Sequence, residues 1–95
     1  MKRVFVASDH GHAGRVVRVR ADDLRDAARV AAGKLFPVDP SERWKFVTRG
    51  KGFFVQRRTG TSTKYGLFCA YRDVREGGTQ QVGCLQVWEP PAGWR

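Results

Sequence analysis

The chain has 95 residues, and its 18 Lys plus Arg against 9 Asp plus Glu give a formal charge of +9. That length predicts a single domain spanning 1–95 and excludes a barrel enzyme of about 250 residues. Because 41% of the residues are hydrophobic and 12% are aromatic, we expect a folded core rather than a disordered chain.

Targeting signals at the start of the chain are weak, and we expect no secretory signal there: the apolar run after Lys2 and Arg3 ends before Asp9 and is shorter than the roughly 7 to 15 residues that such a signal needs. No run approaches the roughly 18 apolar residues of a membrane span. We therefore expect a cytoplasmic protein with no membrane partner. Two cysteines, Cys69 and Cys84, are too few for a disulfide framework, so reduced thiols are expected.

Two short strands are predicted at the start of the chain. The segments Arg3 to Ser8 and Arg15 to Arg20 have the length and the apolar content of strands, and the second alternates valine with arginine. The link from Asp9 to Gly14 contains glycine and short polar residues, which predicts a loop.

One amphipathic helix is predicted from Asp22 to about Leu35, with Asp22 as its N-cap. Apolar residues fall at i, i+4, i+7 and i+11, a spacing that places them on one side of a helix. They are Leu24, Ala28, Ala31 and Leu35. Gly33 is a potential stop signal, and Pro37 and Pro40 prevent the helix from continuing far.

The second half of the chain predicts two hairpins. In the first, Arg43 to Arg49 pairs with Gly52 to Arg58 around a turn at Gly50 and Lys51. This register places Trp44, Phe46, Phe53 and Val55 on one face, and Val47 and Phe54 on the other. In the second hairpin, Tyr65 to Val74 pairs with Thr79 to Glu89, which brings Cys69 and Cys84 onto the same face. A four-residue turn would place these cysteines directly opposite each other, in contact without a bond.

The predicted order is strand, strand, helix and four strands, which indicates an α+β fold with a single helix on a mostly antiparallel sheet. The beginning of this order also resembles that of β-grasp domains, a minority alternative. The segment from Thr59 to Thr63 predicts a mobile loop, and residues 90–95 predict a flexible C-terminal tail.

The positive charge is concentrated in residues 43–72, which contain eight basic side chains and no Asp or Glu. Aromatic residues are interleaved with these cations, a combination typical of single-strand binding, in which cations contact phosphates and rings stack on bases. The alternative interpretation of the aromatic residues is that they form the hydrophobic face of the hairpins. The predicted nucleic-acid-binding residues are Arg43, Lys45, Arg49, Lys51, Arg57, Arg58, Lys64 and Arg72.

The segment from Trp44 to Val55 resembles the aromatic hairpin of cold-shock domains, and Lys51-Gly52-Phe53 resembles the start of an RNP1 motif. RNP1 places a small residue between its two aromatics, whereas Phe53 and Phe54 are adjacent and must point to opposite faces. The likeness covers about a dozen residues and assigns no family.

Two further segments have chemistry of their own. The residues from Arg57 to Lys64 combine cations, hydroxyls and backbone amides that donate to phosphate oxygens, although a plain connection between hairpins is the alternative. His10 and His12 have a spacing that suits a metal or an acid and base pair, but no third ligand is near in sequence. We therefore predict a glycine-rich turn with solvated histidines, and neither a metal nor a cofactor.

The sequence thus favours a small basic module that binds nucleic acid or another polyanion. One alternative is an interaction or inhibitor protein of the kind that phages and mobile elements encode, which would dock on an acidic or nucleic-acid-binding surface of a partner. A third is a small metal-independent ribonuclease that uses His10 or His12, although no complete catalytic set is evident and a non-enzyme is expected.

Overall fold

The computed structural model describes residues 2–46, 53–60 and 62–91. Its strands are β1 (Arg3–Asp9), β2 (His12–Ala21), β3 (Phe53–Thr59), β4 (Tyr65–Asp73) and β5 (Thr79–Trp88). A helix, α1 (Leu24–Leu35), and a 3-10 helix (Pro40–Lys45) lie between β2 and β3. No helix among the described residues has the length and apolar character needed to cross a membrane.

The strands form one five-stranded sheet in the order β2-β1-β5-β4-β3, and every neighbouring pair is antiparallel. One helix packed on an antiparallel sheet confirms the α+β prediction. Within the described residues three strands, not the expected four, follow the helix. The first and last strands, β1 and β5, pair antiparallel, whereas β-grasp sheets pair them in parallel, so the β-grasp alternative is not supported.

The β1–β2 connection is tighter than the loop predicted from Asp9 to Gly14. The turn consists of His10 and Gly11, and β2 already begins at His12. The Asp9 carboxylate accepts a hydrogen bond of 2.9 Å from the Gly11 N–H, and a register irregularity lies between Ser8 and Asp9. Local side-chain bonding of this kind closes the turn early, so the ladder extends into residues that composition assigned to a loop.

Helix α1 begins one position later than predicted, because Asp23 and not Asp22 is its N-cap. The Asp23 Oδ1 accepts from the Asp26 N–H at 2.8 Å, which satisfies a donor that has no partner inside the helix. Gly33 does not stop the helix, which ends at Leu35. All four residues of the predicted apolar stripe are buried, together with Ala27 and Ala32.

The core lies between α1 and one face of the sheet, as predicted. Its largest fully buried side chains include Phe5, Phe68, Leu85 and Val87 from the three central strands and Leu35 from the helix. Small residues line the helix side, with Ala27, Ala28 and Ala31 completely buried. They allow the helix to lie close to the sheet, where burial of apolar area stabilises the fold.

The first predicted hairpin is wrong over residues 43–45, which belong to the 3-10 helix and not to a strand. Pro40 occupies the first turn of this helix, and the Asp39 carboxylate accepts from the Ser41 N–H at 2.9 Å. These start signals outweigh the alternating pattern that followed them in the sequence. The predicted strand residues 47–49 and the turn at Gly50 and Lys51 lie outside the described residues.

The predicted shared face of Trp44, Phe46, Phe53 and Val55 is realised only in part. Trp44 is 63% exposed, whereas Phe46 and Val55 are buried. Phe46 forms an isolated antiparallel bridge with Val74. Thr59, the start of the predicted mobile loop, is the last residue of β3.

The end of α1 is held by groups that are distant in sequence. Arg15 of β2 donates to the Leu35 carbonyl at 2.6 Å, and a cation at a helix C-terminus also interacts favourably with the helix dipole. The Phe36 ring lies against Gly83 of β5, where a Cβ atom would come within 2.5 Å of the ring carbon Cε1. Only glycine leaves room for this packing.

The second predicted hairpin is confirmed, with β4 and β5 joined through residues 74–78. Cys69 and Cys84 are directly opposite in the register, as the four-residue turn predicted. The expectation of reduced, unbonded thiols is wrong, because the two residues form a disulfide. Their Cα atoms are 4.0 Å apart, so the pairing of the strands itself brings the two sulfur atoms together.

Candidate nucleic-acid interface

The sheet has a second face, opposite α1. Side chains alternate between the two faces of a strand, so the positions between the core residues of each strand point to this side. In the part of the chain that the structure describes, no helix or strand packs on it. We call it the open face. Its members are Val4, Val6, Ser8, Val16, Arg18, Arg20, Phe54, Gln56, Thr59, Tyr65, Leu67, Cys69, Tyr71, Asp73, Gln81, Cys84, Gln86 and Trp88.

Two aromatic side chains are stacked on the open face near the β3 edge of the sheet. Phe54 and Tyr71 are cross-strand partners, with ring centroids 5.5 Å apart and planes inclined by 25°. Phe54 is 44% exposed. A large ring that stays exposed is not needed by the core, so the interpretation of this aromatic as core does not apply to Phe54.

A second aromatic pair lies near the other end of the same face. Tyr65 and Trp88 are cross-strand partners, and Trp88 is also paired with Val6 of β1. Tyr65 is 45% exposed and Trp88 is half-buried. Tyr65 and Tyr71 belong to the same strand, and the rise per residue of a strand separates them by about 20 Å.

Arg57 and Arg58 have different surroundings. Arg57 lies on the side of α1, where its Cζ is 5.2 Å from the centroid of the Phe68 ring and its Nη1 donates to the Gly60 carbonyl at 3.2 Å. Arg58 is exposed and lies at a register irregularity of β3, where the alternation of faces is interrupted. The next residue, Thr59, is paired with Leu67 of the open face.

Arg18 and Arg20 of β2 are cations of the open face that the sequence analysis did not assign to the site. Val19 and Ala21 are buried in the core, so the arginines between and beside them point to the opposite side. The alternation of valine and arginine was visible in the sequence. It predicted a strand, but only the sheet order shows that these arginines share a face with the aromatic pairs.

Arg43 and Lys45 lie on the 3-10 helix and not on the open face. Lys45 forms an ion pair of 3.1 Å with Glu42, and its Nζ is 5.7 Å from the centroid of the Trp44 ring. Arg49 and Lys51 lie outside the described residues. The predicted basic window is thus distributed over several parts of the molecule.

Lys64 and Arg72, the other two predicted site residues, also lie apart. Lys64 is exposed in the β3–β4 connection, where its N–H donates to the Ser62 hydroxyl at 3.0 Å. Arg72 lies under the end of the helix, and its Nη2 donates to the Phe36 carbonyl at 3.4 Å. Burial lowers the pKa of Arg72 from its ordinary value. Its contact with the backbone supports the fold as well as supplying charge.

The two histidines are placed at the tight β1–β2 turn. The His10 N–H of the backbone donates to the Cys84 carbonyl at 2.8 Å, and its ring Nδ1 lies 3.5 Å from the Gln86 amide nitrogen. Both histidines are exposed. Across the described ranges, no three His, Cys, Asp or Glu side chains are grouped so that they could hold a metal ion.

The open face thus combines two pairs of aromatic side chains with two arginines of the β2 edge, Arg18 and Arg20. Among the strand residues that alternation places there, Asp73 at the end of β4 is the acidic one. No protein-family model matches the chain, and no curated protein matches its sequence. The geometry of the open face is therefore the basis for a functional assignment.

Proposed function

We propose that the protein binds single-stranded nucleic acid on the open face. The observation that carries the proposal is the stacked pair of Phe54 and Tyr71, with Phe54 44% exposed. Exposed rings on a sheet offer faces on which bases stack, each worth about 1 to 3 kcal/mol. The exposed guanidinium groups of Arg18 and Arg20 on the same face supply partners for phosphates.

The second aromatic pair extends this surface. Tyr65 and Trp88 stand about 20 Å along β4 from Tyr71, and Arg18 lies in the same cross-strand row as Trp88 because both are paired with Val6. Arg20 follows in the next row, where it is paired with Val4, so a nucleic-acid strand bound across both aromatic pairs would meet these cations at the Tyr65–Trp88 end of its path. The proposed surface therefore leaves out several cations of the basic window of residues 43–72 and includes Arg18 and Arg20 from outside that window.

Single strands are the favoured ligand class because the bases of a duplex are paired and stacked inside it and cannot stack on protein rings. The net charge of +9 favours association with any polyanion. A protein that bound through charge alone would have similar affinity for duplex and single-stranded nucleic acid, whereas ring stacking would favour the single strand. The ratio of the two affinities therefore tests whether the rings take part.

The test is fluorescence anisotropy with labelled single-stranded and duplex oligonucleotides at near-physiological salt. We expect saturable binding of single strands that Phe54→Ala weakens by about 1 to 3 kcal/mol. The matched control is Trp44→Ala, because Trp44 is exposed on the 3-10 helix and not on the open face. Equal loss in both variants, or no binding of single strands, would refute the proposal.

The open face also supports the second hypothesis, a protein that docks on an acidic surface of a partner. Val16 is 55% exposed on this face, and base stacking gives such an aliphatic side chain no role. Apolar residues rimmed by cations fit a protein partner whose interface carries carboxylates. That hypothesis predicts a stoichiometric complex with an acidic protein, lost in Val16→Asp, together with weak or absent oligonucleotide binding.

A further inference from the structure

A cavity of about 340 Å³ lies on the helix side of the sheet, at the N-terminal end of α1. Arg3, Arg25 and Arg57 line it, and Ser62 and Thr63 add two hydroxyl groups. The three arginines come from β1, α1 and β3, so only the folded chain brings them together. The cavity is distinct from the open face, because Arg57 points to the side of the sheet that α1 covers.

Two of these guanidinium groups are held in place by the protein. Arg57 lies over the Phe68 ring at 5.2 Å and donates to the Gly60 carbonyl. Arg3 donates to the Asp22 carbonyl at 3.1 Å and is ion-paired with Glu89 at 3.1 Å. Each guanidinium has five N–H donors, so both keep donors beyond these contacts. Groups that are already ordered lose less entropy when a ligand binds.

The carboxylates near the cavity are engaged by other groups. Asp23 lines the cavity, but its Oδ1 accepts the capping hydrogen bond from the Asp26 N–H. Glu89 is paired with Arg3. Asp22, whose carbonyl accepts from Arg3, is a third carboxylate near the cavity and also has a partner. Among the residues that line the cavity itself, three guanidinium groups stand beside one carboxylate, that of Asp23, so the lining has an excess of positive charge. A small anion with several acceptor oxygens matches this combination of arginines and hydroxyls.

We infer that this cavity binds a phosphate group, either of a phosphate monoester or of inorganic phosphate, through Arg3, Arg25 and Arg57. Planar guanidinium groups donate in pairs to phosphate oxygens, and Ser62 and Thr63 supply neutral donors. The first turn of α1 contributes in the same direction, because the N–H groups of Leu24 and Arg25 have no partner inside the helix. The site goes beyond the proposed function, since it needs no residue of the open face.

The test is a titration with inorganic phosphate and with phenyl phosphate at constant ionic strength, followed by amide NMR shifts and calorimetry. We expect saturable binding, with the largest shifts at the amides of Leu24 and Arg25. Arg57→Gln should weaken binding about tenfold or more, the effect of losing one hydrogen bond to a charged group. The matched control is Arg58→Gln, because Arg58 is the next residue, is exposed and does not line the cavity; it should change affinity by less than about twofold.

A second pair of variants keeps the test decisive if Arg57→Gln fails to fold. Arg25→Gln removes an exposed guanidinium of the cavity, whereas Arg29→Gln removes one that is ion-paired with Asp26 outside it. Loss of binding in Arg25→Gln alone supports the site. Equal loss in both variants, or no saturable binding by the unmodified protein, overturns it.

The two phosphate probes distinguish the source of the ligand. Tighter binding of phenyl phosphate indicates a monoester, and tighter binding of inorganic phosphate indicates the free ion. The outcome is also separable from that of the open face. Phosphate binding without oligonucleotide binding would refute only the proposed function, and the reverse would refute only this cavity site.

Discussion

Arg57 and Arg58 are adjacent in sequence but differ in surroundings: Arg57 lies over the Phe68 ring under α1, and Arg58 is exposed at the register irregularity of β3. The irregularity interrupts the period of two along the strand at this point. A charge count assigns both residues to a single basic surface. In the fold only Arg57 lines the cavity, so changing the two residues one at a time tests that site.

The packing of α1 on the sheet predicts a large effect of Leu24→Ala. Leu24 is 4% exposed, so the change should lower the free energy of unfolding by about 2 to 4 kcal/mol. Val30 on the same helix is 39% exposed, and Val30→Ala should change the free energy of unfolding by less than about 0.5 kcal/mol. Denaturant unfolding of both variants measures the difference, and equal effects would contradict the assigned helix face.

Gly83→Ala should destabilise the protein because the new Cβ would come within 2.5 Å of the Phe36 ring. Overpacking of this kind costs about 1 to 3 kcal/mol. Adding Phe36→Ala should recover part of the loss in a double-mutant cycle. Gly14→Ala is the control, because the nearest atom to its Cβ would be 3.9 Å away. Additive effects of the Gly83 and Phe36 changes would contradict the packing.

The Cys69–Cys84 disulfide predicts that native protein purified without reductant contains no thiol that reacts with Ellman's reagent. The bond links residues separated by 15 positions, and closing a loop of that length stabilises a fold by about 3 kcal/mol. The double change of Cys69→Ala and Cys84→Ala should therefore lower the free energy of unfolding by about 2 to 4 kcal/mol. Two reactive thiols in the native protein would contradict the bond.

Hydrogen bonds from Ser41 lower the pKa of Asp39 below its ordinary value of 3.8, the backbone N–H first and the hydroxyl second. Because the folded pKa is the lower one, the charged carboxylate stabilises the fold fully above 3.8 and loses this effect as the pH falls through the folded value. Ser41→Ala should raise the pKa of Asp39 partway to 3.8 in an NMR titration. Ser62→Ala should leave it unchanged; an unmoved pKa in Ser41→Ala would contradict the assignment.

The elements with strong local signals could be predicted from the sequence, and those set by distant contacts could not. The spacing of Leu24 and Leu35 placed the helix face, and the β4–β5 register placed Cys69 opposite Cys84. The alternation around Trp44 was misleading, because Pro40 and the Asp39 cap direct that segment into a 3-10 helix. The local sequence contains both the alternating pattern of a strand and the start signals of a helix, and tertiary contacts decide which of the two structures forms.

The site was predictable in composition but not in arrangement. Arginines and aromatic rings were the right residue types, yet the exposure of Phe54 and the position of Arg18 depend on which strands are neighbours in the sheet. The cavity at Arg3, Arg25 and Arg57 joins residues far apart in the chain. No local pattern marks such a grouping, because it is formed by tertiary packing alone.

The measurement that tests the open face most directly is the salt dependence of single-strand binding by Arg20→Ala beside Arg57→Ala, with a 5′-hydroxyl oligonucleotide that offers no terminal phosphate. Arg20 is exposed on the open face, whereas Arg57 lies on the helix side. Loss of one phosphate contact should flatten the slope of log K against log salt by about 0.7 in Arg20→Ala. Arg57→Ala, with its fold confirmed by thermal melting, should keep the slope of the unmodified protein. An unchanged slope in Arg20→Ala together with a flattened slope in Arg57→Ala would contradict the assignment of nucleic-acid binding to the open face.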